Sequence, residues 1–164
     1  MSETDLELGE GESLVADQDE LIYRQITKHM LDPSGAVATH AYTGESSGDG
    51  QPSYSRSSVV SAQESRDWHT RNSRSPSLGV RGLTVGEVVV AKRWVVDDSA
   101  APLNPDEMRA PGHCYVNAVG LDRVTLKSLR AILWNAANRR GEIATRETLE
   151  DGELDLEAGS DAPD

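Results

Sequence analysis

The feature that most limits what this chain can fold into is where its charge lies. Of 164 residues, 28 are Asp or Glu and 16 are Lys or Arg, a net charge of −12. That excess is not spread evenly. Residues 1–20 carry eight acids and no base, and residues 142–164 carry nine acids against Arg146 alone. The 121 residues between them hold 11 acids and 15 bases, a body of net +4. Both flanks lack aromatic residues and set Gly, Ser and Ala between their acids. Such segments bury too little apolar surface to offset the entropy of ordering them. The expectation is therefore a disordered acidic tail over 1–20, one folded domain over 21–141, and a second disordered acidic tail over 142–164. The tails are expected to keep the protein soluble.

Composition excludes several classes. No apolar run approaches the ~20 residues that cross a bilayer, so a membrane association is not expected. The first fifteen residues hold acids and no Lys or Arg, the reverse of a secretory leader. Cys114, the single cysteine, has no disulfide partner within the chain, which points to a reducing cytoplasm. Only three lysines (Lys28, Lys92, Lys127) stand beside plentiful Arg, Ala and Gly, the composition of a GC-rich bacterial gene.

Local patterns predict strands and helices in alternation. Residues 21–26 are a β-prone run, Asp32-Pro33-Ser34-Gly35 has the chemistry of a tight turn, and 36–42 alternates loosely. These predict a hairpin of two strands. Residues 43–52 read as a Gly-rich loop and 54–57 as a third strand. Ser61-Ala62-Gln63-Glu64 and Thr84-Val85-Gly86-Glu87 both fit a capping box, so each opens a helix. The valine run from Val88 makes the second helix weak, and a strand over 88–96 competes with it. Residues 78–83 read as a buried strand, 97–112 as a loop with three prolines, and 113–119 as another strand. The clearest element is a helix over 122–140. Leu126, Leu129, Leu133 and Ala136 form its apolar stripe, Ile132 widens it, and Trp134 lies at its margin. Asp122 or Thr125 caps its start and Gly141 ends it. Together these give an α+β fold: a single small domain with a mixed sheet and three helices.

Several of these stretches resemble a family of small bacterial proteins. The resemblance rests on Leu21-Ile22-Tyr23-Arg24-Gln25, on Ser61-Ala62-Gln63-Glu64-Ser65 with Trp68-His69-Thr70, and on Gly79-Val80-Arg81-Gly82-Leu83-Thr84-Val85-Gly86-Glu87. It covers roughly residues 21 to 142 and implies a bacterial single-domain protein. It brings no known activity with it.

Motifs for catalysis are sparse. His29, His40, His69, His113 and Cys114 have no structural-zinc spacing, so no metal is expected. The chain has 17 serines but no Gly-x-Ser-x-Gly elbow, and no Walker or dinucleotide-binding loop. One enzyme pattern matches. Arg24 on a first strand, Tyr54 on a middle strand and a later Glu87 follow the order of ADP-ribosyltransferase-like sites, in which the cation holds NAD and the carboxylate orients a ribose hydroxyl. A second pattern is a polyanion surface. Between residues 53 and 77 lie nine serines with Arg56, Arg66, Arg71 and Arg74, and Arg81 follows. Arg and Ser donate to phosphates, and Trp68 offers a stacking face for nucleic acid. The leading expectation is a non-catalytic interaction or accessory protein of a conflict or regulatory system, acting through a protein or polyanion partner without a cofactor. An NAD-dependent ADP-ribosyltransferase-like enzyme is the alternative.

Overall fold

The alternation of strands and helices gives an α+β domain built on a single sheet. The computed structural model describes residues 6–44 and 48–149. Among them β1 is Ser13–Leu14, β2 Leu21–Ile26, β3 Ser53–Arg56, β4 Gly79–Thr84, β5 Val95–Asp97 and β6 His113–Val116. The helices are α1 Ala62–Asn72, α2 Val85–Val90 and α3 Arg123–Arg140. The spatial order is β1-β5-β6-β3-β2-β4. No helix among the described residues is long and apolar enough to cross a membrane.

Every ladder in the sheet is antiparallel, which corrects the expected mixed sheet. The cause lies in the β3–α1–β4 connection. These two strands run parallel to each other but flank β2, which runs against both. The crossover thus has the sequence signature of a parallel unit with another strand inserted at its centre.

Strand alternation places the helices. Ile22 and Ile26 share a core with Leu129 and Leu133 of α3 and with Val85 and Val88 of α2. Gln25 points to the other face, where its amide donates to Ser65 Oγ of α1 at 2.9 Å. Both predicted capping boxes form, with Ser61 and Glu64 in one and Thr84 and Glu87 in the other. Asp122 caps α3 at 2.7 Å from the Thr125 amide, and Gly141 ends it at φ 79°. The valine run divides: Val85–Val90 is helix, and the strand begins at Val95. On α3 the buried stripe is Leu129, Leu133, Ala136 and Ala137. Ile132 is 44% exposed, against the expectation that it lies in the core. Leu126 and Trp134 are half-buried, and Trp134 Nε1 donates to the Val37 carbonyl at 2.8 Å.

The predicted second strand over 36–42 does not form. The Asp32 turn closes as expected, with an isolated bridge between Leu31 and Val37. Residues Thr39–Tyr42 then coil into a 3-10 turn. Side chains take the carbonyls that a ladder would have used: Arg24 Nε donates to Ala41 O at 2.8 Å, and the Tyr54 hydroxyl donates to Tyr42 O at 2.6 Å.

The folded part also exceeds the body read from charge. Ser13–Leu14 pairs with β5, and Val15 is buried. Past Gly141, Ile143 bridges Val80 on the outer side of β4, Thr145 is buried, and residues 146–149 are helical. Acidic composition concealed these contacts because each uses only a short uncharged run, 13–16 or 143–145, between charged residues. Covering β4 this way blocks an otherwise open sheet edge. The expectation of disorder for 1–5 and 150–164 falls outside the described residues.

Candidate functional site

Arg24 and Tyr54 converge. The guanidinium lies 5.5 Å from the Tyr54 ring centroid, and its Nη1 donates to Ser53 O at 2.9 Å. Both residues line a cavity of about 410 Å³ between α1 and the sheet. Burial lowers the Arg24 pKa and pushes that of the Tyr54 hydroxyl up. Glu87 does not line that cavity. It holds the start of α2, accepting from the Thr84 amide at 2.7 Å, and pairs with Arg140 at 2.7 Å. Burial alone would raise its pKa, but the Arg140 and Thr84 hydrogen bonds prevail and lower it. Glu87→Gln is expected to cost under ~1 kcal/mol, since an amide oxygen still accepts at the cap and the ion pair is partly solvated. NAD incubated with the wild-type protein should stay intact. Nicotinamide release that disappears in Glu87→Gln at unchanged melting temperature would assign NAD chemistry to this residue.

The arginines of the 53–81 segment serve different ends. Arg56 is clamped between strands: Nε and Nη2 reach the two Glu20 oxygens at 2.9 and 2.8 Å, and Nη1 reaches Asp97 at 2.7 Å. Arg66 bonds Thr145 Oγ1 at 2.9 Å and lies 3.6 Å from Glu147. Arg81 faces Arg24 across the β2–β4 ladder, and Arg71 and Arg74 are exposed. Trp68 is half-buried on α1 and lines the cavity below that helix. Two of the five cations are therefore committed to holding the fold.

Ser53 and His113, which also line this cavity, belong with Asp98 to a constellation that sequence reading passed over. His113 Nδ1 lies 2.6 Å from Asp98 Oδ1, and its Nε2 lies 3.0 Å from Ser53 Oγ. Strand register brings them together: Ser55 opposes His113, and Asp97 opposes Cys114. No local motif signals it, because Ser53 and His113 are 60 residues apart. Of the three, only His113 opened a predicted strand, while Ser53 preceded the one read over 54–57 and Asp98 lay in the loop read over 97–112. Among the described residues no group of three His, Cys, Asp or Glu forms a metal site. Cys114 is buried, and burial pushes its thiol pKa up, so it is held protonated.

A second recess, of about 610 Å³, opens between the end of α2 and the start of α3. Val90, Leu121, Val124 and Ile132 line it, with Lys92 at its lip. Val90 and Val124 are each 80% exposed. The α2 C-terminus closes as a Schellman motif, with the Arg93 amide donating to Val88 O and the Lys92 amide to Val89 O. That motif puts Lys92 at φ 62°, the only positive φ at a non-glycine residue among those described. Glycine is the ordinary occupant, because a Cβ is strained there. Compared with protein-family models, curated proteins and solved structures, the chain finds no match.

Proposed function

We propose that the protein is an interaction module that docks a protein partner in the cleft between α2 and α3. One observation carries the reading: a lysine occupies the strained glycine position of the Schellman motif, at the lip of an apolar recess. Stability alone favours glycine there, and strained residues cluster where a binding role outweighs their cost. Val90 and Val124 stand largely in solvent beside it, and apolar side chains grouped this way favour contact with a partner. The occupant that fits is a partner segment presenting apolar side chains with an acid for Lys92. A polyanion is less favoured, because Arg56 and Arg66 are held by Glu20, Asp97 and Glu147.

In this reading the protein is a bacterial, cytoplasmic accessory factor of a conflict or regulatory system, akin to the small bacterial proteins that its strand and helix segments resemble. The single cysteine and the Arg-rich composition support that setting. A photo-crosslinking residue placed at Val124 or Val90 in the protein's own cells should give one discrete adduct with a second protein, diminished by Lys92→Glu. The same residue at Leu103, exposed in the proline-containing loop, should give none. Adducts of equal yield from Leu103, or none from the cleft, would contradict the proposal.

A further inference from the structure

We propose that Ser53, His113 and Asp98 form a nucleophilic triad that hydrolyses carboxylic esters, an activity beyond the docking role and independent of it. Asp98 carboxylate only accepts, so the imidazole carries its proton on Nδ1 and donates it to Oδ1 at 2.6 Å. That leaves Nε2 as the acceptor for the Ser53 hydroxyl at 3.0 Å. These are the base–nucleophile and base–orienter bonds by which triads are recognised across unrelated folds. Ser53 and His113 are the first residues of β3 and β6, and Asp98 directly follows β5, so adjoining strand ends set their spacing. Ser53 is exposed and opens onto the cavity beneath α1. Met30, Trp68 and Met108 give that cavity apolar walls for an acyl or aryl group. Arg24 Nη1, bonded to the Ser53 carbonyl, fixes the strand end that carries the nucleophile.

Each step balances. The Ser53 oxygen adds to the ester carbonyl carbon while His113 Nε2 takes the hydroxyl proton. The tetrahedral intermediate expels the alkoxide, which receives that proton from His113 and leaves as an alcohol, so the acyl group stays on Ser53. Water then adds to the acyl carbon, its proton passing to His113 and on to the Ser53 oxygen as the carboxylic acid departs.

The test uses the full chain with two probes. A fluorophosphonate should modify the unaltered protein at Ser53, as located by peptide mass spectrometry, which requires no variant to fold. Hydrolysis of p-nitrophenyl butyrate should fall at least about tenfold in Ser53→Ala, in His113→Ala and in Asp98→Asn. Circular dichroism and melting temperature confirm that each variant is folded. Absence of the adduct from Ser53, or a Ser53→Ala protein that hydrolyses the ester at the wild-type rate, would overturn the proposal.

Discussion

Replacing Arg56 by alanine is expected to remove about 3 kcal/mol of stability, read as a lower denaturant midpoint at unchanged slope. The guanidinium forms a bidentate pair with Glu20 and a third bond to Asp97, tying the chain ahead of β2 to the ends of β3 and β5. Glu20 is 8% exposed, so truncating its partner leaves a buried carboxylate held by Ser58, whose Oγ lies at 2.9 Å. The same cluster sets an acid limit. The Arg56 hydrogen bond holds Glu20 below its ordinary value of 4.5, with burial opposing it. Burial would raise Asp97, but the Ser99 and Arg56 bonds lower it below 3.8. Carboxylates with depressed folded values add stability that is fully present above their unfolded values. It is lost as pH falls through the folded ones. Wild type should therefore lose stability progressively below about pH 4.5, and Arg56→Ala should show a shallower dependence. A stability within about 0.5 kcal/mol of wild type, the range of ordinary surface changes, would mean that the cluster is solvated.

Leu133→Ala should cost ~2–5 kcal/mol, the range for emptying a packed core site. Its side chain is fully buried among residues that include Ile22, Val85 and Ala137. Ile132→Ala, one residue away, should stay within about 0.5 kcal/mol because that side chain borders the open cleft. Equal losses at both positions would show that α3 is rotated about its axis so that both side chains face the core.

That contrast marks how far local patterns reach. The caps at Ser61, Thr84 and Asp122 were legible because each closes within three residues. The α3 period located the helix but left the edge of its stripe uncertain, and Ile132 fell outside it. The 36–42 segment was misread because its carbonyls are claimed by Arg24 and Tyr54, bonds that no nearby pattern encodes. Ser53, His113 and Asp98 are joined only by strand pairing, and Lys92 is distinguished only by its backbone angle. Both candidate sites were thus hidden for one physical reason: they depend on three-dimensional placement of common residues.

The docking claim is tested most directly on Lys92→Gly carrying the photo-crosslinker at Val124, with stability and adduct yield measured on the same protein. Relief of the left-handed strain should raise stability by ~0.5–1 kcal/mol, while loss of the ammonium should reduce the adduct severalfold. A variant that gains stability and crosslinks as well as wild type would contradict the account, because the strained lysine would then contribute nothing to binding.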